Sequence, residues 1–164
     1  MTAAGTCTHA RDDADVVACA ERRACDQVPL RRFARFTEIE QYLDRLLSSA
    51  WWGDTFPGAP LEVVPERRSH NATFSAAACR PDGTGVVWIV DGHGWGLETV
   101  LHELAHLAAG TGAAHGSYFA EALGELWRHE AGVFAWAALE SAFTTCDHRG
   151  ALRLGGSPRR PRRP

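Results

Sequence analysis

Apolar positions in this chain fall into helical stripes towards both ends and into short β-type runs in the middle. From Asp12 to about Cys25, Val16, Val17, Ala20 and Ala24 recur at helical spacing, with Asp12 and Asp13 at the end where a helix favours negative charge. The segment FTEIEQYLDRLLSSAWW places Ile39, Tyr42, Leu43, Leu46 and Leu47 on one stripe, and Thr37 with Glu40 has the spacing of a capping box. GDTFPGAP stops that helix, and Trp51 and Trp52 are placed to cap a sheet. Three strand-like runs follow: LEVVP, HNATFSAAA and GVVWIVD. CRPDGTG between the last two has the Pro, Asp and Gly of a hairpin connection. The loop GHGWG then delivers the chain into LETVLHELAHLAA, a helix expected to end near Gly110. A second helix from about Ser117 carries Phe119, Leu123 and Leu126, and a third, VFAWAALESAF, follows Gly132.

This order predicts an α+β fold in one domain over residues 11–150, with a small sheet, a motif-bearing helix and C-terminal packing helices. Residues 1–10 lack periodicity and the Arg/Pro-rich stretch 151–164 loses all pattern, so both ends are expected to be disordered. No internal repeat interrupts the reading.

With 164 residues, 45% hydrophobic and 23% charged, the chain can bury a core without metal or disulfide staples. No apolar run approaches the roughly 18 residues of a membrane span. Asp12, Asp13 and Asp15 interrupt the place where a signal peptide would be apolar, so no membrane contact and a cytoplasmic location are expected. Discounting Arg159, Arg160, Arg162 and Arg163 of the tail takes the formal charge from -3 to -7. An acidic body argues against nucleic-acid binding by the folded domain and leaves only the arginine-rich tail as a phosphate-binding arm. The five cysteines form no CxxC pair, and their odd number and scatter suit free thiols in a reducing compartment. Cys19 and Cys25 then read as small apolar helix residues, and Cys146 with His148 is too sparse a pair to compete as a metal site. The pattern specifies no oligomeric state.

His102, Glu103 and His106 spell HExxH. Four residues advance a helix by about 400°, so the two imidazoles project from nearly one face, one turn apart, within reach of a single tetrahedral zinc. Glu103 lies on the same half of the helix, where a carboxylate can take a proton from water and pass it to a leaving amine. A catalytic zinc needs a third protein ligand and an open fourth position. His115 leads, because Gly110 and Gly112 let the chain turn back under the metal; Glu125 and then Glu121 on the next helix are the competitors.

HELAH followed by HGSYF resembles the HExxH and HGxxF pattern of SprT-like zinc metalloproteases. Over about residues 11–150 the order FTEIEQYLDRLL, LEVVPERRSHNATF, VVWIVDGHGWG, LHELAHL, AAHGSYF is similar to a family of small bacterial metallohydrolases of undetermined substrate. The resemblance implies a zincin-like fold, with His102, His106 and His115 as zinc ligands and Glu103 as general base. The chain departs from SprT-like proteases in lacking a cysteine-rich ribbon and a basic DNA-binding segment.

The expected activity is zinc-dependent hydrolysis of a peptide or protein substrate, held by edge pairing along Val86–Val90, with Trp88 and Trp95 placed to line the cleft. Core packing is the competing role for Trp88 and is expected of Trp127 and Trp136. His70, His93, Tyr118 and His129 are the candidates for a donor to a developing oxyanion. The alternative is a non-catalytic zinc-binding module in which the metal pins the helix to its loop.

Overall fold

The computed structural model describes residues 6–110 and 112–147. The expected disordered ends therefore fall largely outside the described residues, as does the arginine tail with His148. Within them the chain forms α1 (Thr6–Gln27), α2 (Phe36–Leu47), α3 (Ala50–Thr55), β1 (Val63–Arg68), β2 (Ala76–Cys79), β3 (Gly85–Val90), α4 (Leu97–Ala109), α5 (Ser117–Leu126) and α6 (Val133–Cys146). A π-helical turn, Trp127–Ala131, joins the last two helices. This is an α+β arrangement, with six α-helices and one mixed three-stranded sheet among the described residues. None of these helices is long and apolar enough to cross a membrane.

The helical stripes bury as their periodicity requires. Val17, Ala20 and Ala24 of α1 are inaccessible, although the helix starts at Thr6, well before Asp12. Ile39, Tyr42, Leu43, Leu46 and Leu47 of α2 all face the core. Its first turn differs from expectation. The helix begins at Phe36, so Thr37 lies inside it, and Glu38 reaches back to accept the Ala34 N–H at 3.2 Å. Trp51 and Trp52 open α3 rather than capping the sheet. Ser49 caps the helix by accepting the Trp52 N–H, and the fully buried Trp52 indole donates to the Pro60 carbonyl at 2.9 Å.

The strand order is β1-β3-β2, with β1 parallel to β3 and β2 antiparallel to it through the expected hairpin at Arg80–Thr84. Val86–Val90 therefore forms the central strand, with both backbone edges occupied, and cannot pair with a peptide. The outer edge of β2 is free of strand pairing among the described residues.

Two backbone devices fix where α4 begins. The segment after α1 pairs with the entry loop, Phe33 N–H to the Trp95 carbonyl and Leu97 N–H to the Arg31 carbonyl, both at 2.9 Å. Gly94 sits in a turn so tight that a Cβ there would lie 2.6 Å from the Val90 carbonyl oxygen, which excludes every other residue. Val100, Leu101, Leu104, Ala105 and Leu107 then bury the inner face of α4, which packs on β2 and β3.

α1 lies along α6, and the two are joined by a disulfide between Cys19 and Cys146, with their Cα atoms 6.1 Å apart. This overturns the expectation of free thiols for these two residues and removes Cys146 from any metal pairing. Cys25 and Cys79 are free, and enclosure among apolar neighbours together with nearby carboxylates pushes the Cys25 thiol up to about 12, so it stays protonated.

Candidate metal centre

α4 ends at Gly110, whose φ of 87° takes the chain out of helical geometry. The turn that follows is closed by Ala113 N–H to the Gly110 carbonyl at 2.9 Å and Gly116 N–H to the Ala113 carbonyl at 3.1 Å. Ala114 takes the left-handed conformation, with φ 46°, and His115 follows it back towards the helix. One nitrogen from each of His102, His106 and His115 lies within 4.8 Å of the others. The His102 and His115 Nε2 atoms are 3.2 Å apart. A tetrahedral ion with nitrogen ligands at 2.0–2.1 Å sets them about 3.3 Å from one another. The group can hold a metal ion.

Phe119, fully buried in the first turns of α5, supports all three imidazoles. Its ring centroid is 5.0 Å from that of His102, 4.5 Å from His106 and 4.8 Å from His115. The stripe of α5 identified Phe119 as a core residue; its place beneath the imidazoles needed the returning loop to be known.

A second residue was missed altogether. Glu21, on α1, accepts the Nδ1 hydrogen of His102 at 2.9 Å. A single carboxylate 81 positions upstream carries no local signal of such a contact.

The electrostatics follow from enclosure and from these partners. Burial, reinforced by the charges of the other histidines, pushes His106 down to about 3. Burial and His102 bring His115 down to about 4 against an upward pull from Asp13. Burial would lower His102 too, but the charge and hydrogen bond of Glu21, with Glu103 adding to them, outweigh it and hold His102 above the ordinary range. His106 and His115 are thus neutral lone-pair donors at neutral pH, while the Glu21 carboxylate raises the proton affinity of His102. Glu103 is 5% exposed, with Oε2 buried and without a hydrogen-bond partner among the described residues. Burial drives it up to about 7, the charge of Glu21 pushes the same way, and His102 and Arg68 oppose them.

These groups line an open cleft of about 600 Å³, whose other walls include Phe74, Ala76, Ala77, Glu98 and Thr99. Several sequence candidates lie elsewhere. Glu121, Glu125 and Tyr118 line a separate, smaller cleft, and Glu125 is paired with Arg128 at 3.0 Å. His129 stacks on Trp51 with centroids 3.7 Å apart, and His70 and His93 are exposed in loops. Neither Trp88 nor Trp95 reaches the metal-site cleft. Trp88 is half-buried and donates to Glu66 at 2.8 Å, and Trp95 packs against Phe36. Of the tryptophans expected in the core, Trp127 is fully buried, whereas Trp136 is half-buried.

No family model matches the sequence, and neither a curated protein nor a solved structure matches it.

Proposed function

We propose that this protein is a zinc metallohydrolase of zincin-like architecture, acting on peptide bonds. One observation carries the reading: three imidazoles converge at metal-ligand spacing, and a buried carboxylate next to them, one oxygen of which has no hydrogen-bond partner among the described residues, opens onto the same cleft. Three nitrogen donors facing an open cleft are the donor set of a catalytic zinc, leaving a fourth position for water or substrate. When bound, zinc would supply Lewis acidity, polarising a carbonyl and acidifying water. The HExxH and HGxxF likeness to SprT-like metalloproteases supports the same assignment.

Glu103 is the proton carrier. A group held at about 7 is partly ionised at neutral pH and both accepts and releases a proton readily. Enclosure disfavours the charged carboxylate, and this raises the proton affinity of Glu103 above that of a carboxylate in water. Ala76 and Ala77, on the free-edged strand β2, line the cleft with small side chains that leave the backbone accessible. An extended peptide pairing with that edge would lie across the three histidines. β2 thus takes the role first given to Val86–Val90.

One feature favours a non-catalytic metal module instead: among the described residues, no arginine, tyrosine or fourth histidine lines the cleft to stabilise an oxyanion. Glu103→Gln separates the two readings. We expect the purified variant to retain zinc while hydrolysis of a broad peptide library falls by about 10²–10⁴-fold. A wild-type protein that binds zinc but cleaves nothing in the library sinks the peptidase assignment, and one that binds no zinc sinks the metal site.

A further inference from the structure

We propose that Glu21 is a positioning residue of the metal site, fixing the tautomer and ring orientation of His102 so that its Nε2 lone pair faces His106 and His115. The proposal rests on the metal reading above and adds a determinant from the opposite end of the chain.

A contact and a misfit carry it. The contact is the hydrogen bond from His102 Nδ1 to Glu21 Oε2 at 2.9 Å, between side chains only 21% and 14% exposed. In a neutral imidazole the nitrogen that keeps the proton cannot ligate a metal, and an acceptor on one side decides which nitrogen that is. Glu21 holds the proton on Nδ1. It leaves Nε2, the atom 3.2 Å from His115 Nε2, as the one free to ligate. The misfit is energetic. A largely enclosed carboxylate needs several hydrogen bonds to offset its desolvation, yet Oε1 of Glu21 is buried with no partner among the described residues. An apolar residue there would suit the fold better, so the carboxylate acts on something other than packing. Its only hydrogen bond among the described residues leads to His102. The helix presents it firmly: Ala20 and Ala24 on either side are fully buried, and Cys19, two residues before, is bonded to Cys146.

The test is Co²⁺ binding to the full chain, read by its visible absorption, in the wild type, Glu21→Gln and Glu21→Ala. The Kd of Glu21→Ala should weaken by about 10–100-fold. Glu21→Gln should lose less, because its amide oxygen still accepts from Nδ1–H, and neither metal-free variant should melt below the wild type. Nitrogen NMR of the metal-free protein, at a pH where the ring is neutral, should find the His102 proton on Nδ1 in the wild type and moved towards Nε2 in Glu21→Ala. An unchanged Kd, or a lowered melting temperature with an unchanged Kd, overturns the proposal and leaves Glu21 structural at most. Should the wild type bind no Co²⁺, the metal reading falls by itself, and the tautomer measurement still decides whether Glu21 orients His102.

Discussion

The ring of Phe119 lies 4.5 Å from that of His106, centroid to centroid, and the same ring faces His102 and His115. An inaccessible phenyl in contact with every proposed ligand couples core packing to metal geometry. Phe119→Ala should destabilise the protein by about 3–5 kcal/mol, from lost burial and the cavity left behind. Phe119→Leu, which keeps most of the apolar volume, should fold but bind Co²⁺ more weakly, since three rings lose their shared support. Urea unfolding and a Co²⁺ titration check both parts; Phe119→Leu with wild-type affinity would mean the ring is only filler.

The third ligand is decided by one pair of variants. His115 stands with the other two imidazoles, whereas Glu125 is engaged with Arg128 beside a different cleft. His115→Ala should therefore weaken metal binding by more than the roughly 10–100-fold that a lost outer partner costs. Glu125→Ala should retain metal as the wild type does. Metal analysis after dialysis reads the difference, and depletion in Glu125→Ala alone would reverse the assignment.

Acid should destabilise the metal-free protein before its surface carboxylates are reached. Below about pH 6.5 an unfolded chain protonates all three histidines. The folded chain keeps His115 neutral to about 4 and His106 to about 3, so both withdraw stability as pH falls through this window. Glu103, held up to about 7, works in the opposite sense and returns stability between about 7 and the ordinary glutamate range. The contribution of His102, raised in the fold, is fully present below about pH 6.5 and is lost only as pH rises through its folded value. Two protons bound on unfolding against one released leave a net slope of about one proton across about pH 4.5–6.5, stability falling with pH. Urea midpoints measured with a chelator present test this; a midpoint that rises as the solution is acidified contradicts it.

How much of this was legible beforehand depends on the range of the interaction involved. The buried stripe of α2 and the inner face of α4 are local periodicities, and His102, Glu103 and His106 share one helix, so spacing alone placed them. His115 was reachable because only a glycine-bearing turn separates it from α4. The strand order was not, although GVVWIV carried a hint: five of its six residues are buried, and an unbroken apolar run belongs to a strand covered on both faces rather than to an open edge. The Glu21–His102 contact and the Cys19–Cys146 bond join elements far apart in sequence, and no local pattern ranks one distant pairing over another.

That bond has a topological consequence. Its two cysteines are 127 positions apart, so the whole sheet, the cleft and all three histidines lie inside one covalent ring. In the chain-entropy account, a ring of that size disfavours the unfolded ensemble by about 5 kcal/mol. A peptide bond broken in any loop of the ring would open it without dividing the molecule. The severed halves would stay tethered, α1 with its carboxylate still linked to α6, so the pieces that build the centre could re-dock at the high local concentration of a single chain.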